Sequence, residues 1–241
     1  MIAGTKAETV IAIIEKIPLK QRNLDTEITL DMAGNMGLIA KKSFPNATRV
    51  IDRFHVQKLA TEALQEIRIK YRWQAIDREN EAIEKAKKNK KRFEPAVLVN
   101  GDTVKQLLAR SRYFLYKNKS KWTANQLQRA LLLFELYPDI KEAYNLSQGL
   151  RNIFENTTDK IIGFARLAKW HEKVNQSGFK SFNTISRTII NHYQNILNYF
   201  DNRSTNASAE SFNAKIKAFR SQFRGVRNIE FFLFRLTNIY A

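Results

Sequence analysis

A few side chains in this sequence have the type and setting to do chemistry. Glu210 is the one carboxylate in NRSTNASAESFNAKIKAFR, residues 202–220, where every other charged side chain is Lys or Arg. Asp31 closes the alternating run TEITLDM, and Asp52 and His55 share the short element DRFH. Carboxylates are the ligands of hard divalent cations. Two such cations about 3.5–4 Å apart activate a water and stabilise the leaving oxygen of a phosphodiester. A basic chain holds such a bond easily but does not cleave it easily without an ion. Isolated acids in basic surroundings therefore point to metal-dependent phosphoryl chemistry. Plainer readings stand beside this one. A carboxylate in the first turn of a helix gains about 0.3–1 kcal/mol from the helix dipole. An aspartate before DMAGNM can cap the next helix, and a lone histidine is usually structural.

The surroundings favour a polyanionic partner. The chain has 241 residues, a formal charge of +18, 44% hydrophobic residues and no cysteine. That length supports a sizeable core, and scarce glycine and proline argue against an all-β fold. The charge suits nucleic acid or an anionic membrane. No apolar run reaches membrane-spanning length and no signal peptide or lipidation signal is present, so no membrane partner is expected. The absence of cysteine excludes disulfides and thiolate metal sites and fits a reducing cytosol.

The elements that must position these acids can be read from periodicity. Residues 6–17 carry a helical stripe of Val10, Ile11, Ile13 and Ile14. Ile28 and Leu30 alternate with polar residues, which predicts a strand ending at Asp31. A short helix stopped by Pro45 follows, and Val50–Ile51 predict a second strand running into Asp52. Strand–helix–strand order suggests a parallel α/β core. From about 54 to 200 only helical patterns persist: one long helix with a charged far end, then helices near 102–116, 123–136, 139–155, 158–175 and 182–200. Phe212, Ile216, Phe219 and Phe223 predict a core-facing stripe on the helix of Glu210, with Asn213, Lys217, Arg220 and Arg224 on another side.

Other chemistries fit poorly. There is no GxxxxGK[ST], GxGxxG or GxSxG. His171 and His192 have no second ligand at i+4 and read as surface or core residues. The runs KAKKNKKR, RIKYRW and RSRYFLYKNKSKW mix cations with aromatic rings, a nucleic-acid footprint. For Trp73 and Trp122 the commoner role of a helical tryptophan, a core anchor, is expected.

Two stretches together, ITLDMAGNMGLIAKKSFPNATRVIDRFHVQKL and STNASAESFNAKIKAFRSQFRGVRNIEFFLFRL, resemble the catalytic domain of DDE transposases from bacterial insertion sequences. The group is Mutator-related and carries a long helical insertion before its last acid. The resemblance implies a ribonuclease-H-like fold in which three acids hold two Mg²⁺ (or Mn²⁺) ions. These drive strand cleavage by water and strand transfer by a DNA 3′-hydroxyl. By motif, Asp31 matches the second acid and Glu210 the third, so both are expected to be catalytic metal ligands. Asp52 and His55 match a supporting D-x-x-H element, and an alternative alignment makes Asp52 the second acid. Asn213 is expected to orient the carboxylate or a metal-bound water. Lys215, Lys217, Arg220 and Arg224 are expected to hold the DNA backbone.

The expected fold class is α/β and mostly helical: a partial ribonuclease-H-like core with few parallel strands and a large all-α insertion. Residues 1–60 and 201–241 are assigned to the core and 61–200 to the insertion. The family's first acid lies upstream of a helix like 6–17. The chain is therefore expected to be N-terminally truncated, without that acid, and inactive or impaired alone. The expected partner is double-stranded DNA, both transposon ends and target, bound by a homodimer or higher assembly in the bacterial cytoplasm at the nucleoid. The alternative is a non-catalytic basic helical nucleic-acid-binding protein whose acids are caps and surface residues.

Overall fold

A computed structural model describes residues 6–223, 225 and 227–240. The described residues divide into two compact units, one within 6–53 and 194–240, the other over 54–193.

The first unit opens with α1 (Ala7–Ile14) and the single turn α2 (Leu19–Arg22), followed by β1 (Glu27–Leu30), α3 (Gly34–Ser43) and β2 (Thr48–Ile51). The apolar stripe of α1 buries Ala7 and Ile11 against Ile39 of α3, with Val10 and Ile14 packed at the margin. Arg22 donates to the carbonyl of Ser43 and so satisfies an orphan acceptor at the end of α3. The helix stops just before Pro45, as the steric demand of proline on its predecessor requires. β1 and β2 pair in parallel, with Leu30 opposite Ile51, and form the one sheet among the described residues. The expected mostly helical α/β class with a small parallel sheet is what the chain adopts.

The second unit begins along α4 (Arg53–Lys88), a helix of 36 residues, about 54 Å long at 1.5 Å per residue. It continues through α5 (Val104–Arg110), a 3₁₀ turn at Ser111–Tyr113, α6 (Ala124–Leu136), α7 (Pro138–Glu155), α8 (Lys160–Ser177) and α9 (Lys180–Asn191). Capping boxes start α5 at Thr103 and α6 at Thr123, and Gly178 ends α8 in the left-handed conformation that glycine adopts without strain. Trp122 packs with Phe114, Phe134 and Tyr144, and Trp170 donates to the carbonyl of Leu146 at 2.8 Å. Asp102, only 1% exposed, accepts from Arg129 at 2.7 Å, from Asn100 at 3.0 Å, and from Arg110. Burial alone would raise its pKa. The hydrogen bond and charge of Arg129, the charge of Arg110 and the Asn100 amide outweigh that and hold it below the usual carboxylate range.

The chain returns to the first unit through α10 (Tyr193–Leu197) and α11 (Tyr199–Asn202), then α12 (Ala207–Gln222) and α13 (Ile229–Tyr240). The single helix expected over 182–200 is thus broken at His192, where the sequence offers no glycine or proline. On α12 only Phe219 is buried, its ring packed at a tilt against Phe223 and against Phe232 of α13. The expected apolar stripe is therefore partial, because Phe212 at its start stays 46% exposed.

Candidate metal centre

The site is built at the carboxyl end of the small sheet. The ladder runs one residue beyond β2, because the Asp52 N–H donates to the carbonyl of Leu30 at 3.0 Å. Asp31 and Asp52 are therefore the next residues after a registered pair, leaving adjacent strands side by side. Their side chains differ. Asp31 is half-buried, and its Oδ1 accepts from the Ala33 N–H at 2.9 Å, a turn that leads into α3. Asp52 is fully buried, and its Oδ2 accepts from the Asn206 N–H at 2.7 Å.

Asn206 is the residue before α12. Its carbonyl receives the N–H of Glu210 at 2.8 Å, the first turn of that helix. One backbone unit thus ties the Asp52 carboxylate to the turn that carries Glu210. A carboxylate oxygen of Asp52 lies within 4.8 Å of one from Glu210, and also of a ring nitrogen of His55, one turn into α4. Asp52 is buried, His55 intermediate and Glu210 exposed. Asp31 is not in this group. Among the described residues no salt bridge engages Asp31 or Glu210, in a chain with a formal charge of +18.

The remaining expected residues lie along α12. Asn213, Lys215, Lys217 and Arg220 are exposed. Lys217 and Arg220 also line a cavity of about 660 Å³ between α12 and α13, together with Phe223, Phe232 and Leu233. Arg224 lies outside the described residues.

The sequence reading missed how the returning chain is fastened to the sheet. Asn198 donates to the Arg49 carbonyl of β2 at 2.9 Å, and Asn202 donates to Glu27 of β1 at 2.9 Å. With the Asn206 backbone, these make three anchors at four-residue spacing, a signal visible as N-x-x-x-N-x-x-x-N in the sequence. It also missed Arg53 and Arg203, whose guanidinium groups flank the Tyr199 ring at 5.9 and 5.5 Å. Guanidinium is the side chain best matched to phosphate.

The sequence matches the transposase family DDE_Tnp_ISL3 over residues 1–236. The chain belongs to that family, and so to a class of enzymes that move DNA. No curated protein and no solved structure matches it. Among the described residues no helix is long and apolar enough to cross a membrane.

Proposed function

We propose that this chain is the catalytic part of a transposase that cleaves and rejoins DNA strands at a divalent-metal site. The site consists of the carboxyl ends of β1 and β2 and the first turn of α12. One observation carries the reading: Asn206, hydrogen-bonded to Asp52 at 2.7 Å, brings the first turn of α12, and so Glu210, to the strand ends that carry Asp31 and Asp52, although the helical insertion separates them in sequence. The donor set fits Mg²⁺ or Mn²⁺. It is oxygen-rich, it sits at a sheet edge, and it is acidic in an otherwise basic chain. When bound, such ions activate a water or a 3′-hydroxyl and stabilise the leaving oxygen.

The chain's own residues then take separate roles. Asp31 and Glu210 hold the ion, because both acids are accessible and neither is spent on a cation. Asp52 fixes the start of α12 through Asn206, and His55 supports it. Asn213, one turn beyond Glu210, orients that carboxylate or a bound water. Lys215, Lys217, Arg220 and Arg224 hold flanking DNA backbone. A second reading, in which Asp52 itself ligates the ion, is favoured by its approach to within 4.8 Å of Glu210.

In this reading the parallel sheet is part of a ribonuclease-H-like core, with residues 1–60 and 201–241 contributing to it and 61–200 inserted. The DNA is double-stranded, both transposon ends and target, bound by a homodimer or larger assembly at the bacterial nucleoid. Only two positions match the three-acid pattern, so cleavage by the chain alone is expected to be weak or absent. Mn²⁺ titration followed by nuclear magnetic resonance tests the metal site: selective broadening at Asp31 and Glu210 supports it, and uniform weak broadening refutes it. Robust Mg²⁺-dependent nicking by the isolated chain, abolished by Glu210→Gln, would contradict the expectation of impaired cleavage alone.

A further inference from the structure

The helical unit carries a surface that the metal site does not use. Trp73, on α4, is 61% exposed, which corrects the expectation of a core anchor. Burying a tryptophan is among the largest apolar gains available to a chain, so one left open on a long helix needs another use. The neighbouring Arg72 is exposed too. The 3₁₀ turn after α5 carries Arg112 and Tyr113, both exposed. Arg112 lies over the Tyr113 ring at 5.2 Å, and that ring is 58% exposed.

Arg68 ties α4 to α5 near these residues. It is buried on α4, and donates to Gln65 at 2.6 Å and to the Leu108 carbonyl of α5 at 2.8 Å. Its pKa is lowered first by burial, then by the charges of Arg72 and Arg112. Arg72 and Arg112 are thus each near enough for their charge to act on Arg68. Among the described residues no salt bridge engages any of them. A polyanion would relieve that repulsion, and exposed rings beside guanidinium groups offer stacking faces for bases that have left a duplex.

We propose that the α4–α5 face of the helical unit, with Arg72, Trp73, Arg112 and Tyr113, binds single-stranded DNA by phosphate contact and base stacking. This surface goes beyond the metal-site reading and does not depend on it.

The full chain, in EDTA so that no metal site contributes, is titrated with oligo-dT while tryptophan fluorescence is read. Trp170 is buried and Trp122 is tied to the Phe114 carbonyl at 2.9 Å, so Trp73 dominates the solvent-exposed emission. The expected result is quenching that disappears in Trp73→Phe, and affinity lowered about five- to a hundredfold in Trp73→Ala. Arg72→Gln with Arg112→Gln should flatten the dependence of log K on log salt by about 1.4. All these side chains are exposed, and unchanged circular dichroism confirms that the variants fold. Unaltered Trp73 emission on saturation overturns the proposal. So does duplex DNA quenching Trp73 as strongly as oligo-dT, or a DNA-free self-association that shields Trp73.

Discussion

The Asp52 carboxylate accepts a hydrogen bond from the Asn206 backbone N–H at 2.7 Å, although the entire helical insertion separates the two residues in sequence. That bond places the first turn of α12, and with it Glu210, at the end of β2. A buried carboxylate is costly to desolvate and is retained where it is hydrogen-bonded. Here it serves as the latch between the two halves of the first unit.

Asp52→Ala leaves the Asn206 N–H without that acceptor and is expected to cost about 1–3 kcal/mol. Asp52→Asn keeps an acceptor oxygen and should cost less than half as much. Urea unfolding midpoints check both. Equal losses in the two variants would show that the hydrogen bond is not what Asp52 contributes.

The Asp102 cluster predicts a pH dependence in the helical unit. The carboxyl of Asp102 is held below its unfolded value near 3.9. Its contribution is therefore fully present above about pH 4 and fades as the pH falls through the lower folded value. Asp102→Asn should destabilise the chain at pH 7 by about 1–3 kcal/mol, the range for hydrogen bonds to charged groups and for a buried partner lost. It should also flatten the stability profile below pH 4. Thermal melts of both proteins from pH 7 down to pH 2.5 test this. A variant profile parallel to the wild type would contradict it.

Lys217 and Arg220 are exposed on α12 and line the cavity against α13. If they meet duplex phosphates, Lys217→Gln with Arg220→Gln lowers the slope of log K against log salt by about 1.8, since each phosphate contact contributes about 0.9. The loss should be similar for every duplex sequence. A variant that changes sequence preference at constant slope would assign these residues to base edges instead.

The two strands, the long α4 and most insertion helices were legible because apolar spacing reports a buried face directly. The chemistry was legible in part. Asp31, Asp52, His55 and Glu210 stood out by type and by their place at predicted strand and helix ends. Which acids meet was not legible, since that depends on the backbone bond from Asn206 rather than on any side-chain pattern. The Asp102 cluster was hidden for a similar reason: nothing local reveals that Arg110 and Arg129 converge on it. The break at His192 carries no breaker residue. Trp73 misled because its apolar type alone does not say which side of a long helix is covered.

The convergence of acids on a divalent cation is the central claim, and anomalous diffraction from Mn²⁺-soaked crystals tests it most directly. The account predicts a manganese peak bounded by the Glu210 carboxylate and the strand-end aspartates, lost in Glu210→Gln. A peak remote from Glu210, or none at a concentration that saturates binding in solution, would contradict it.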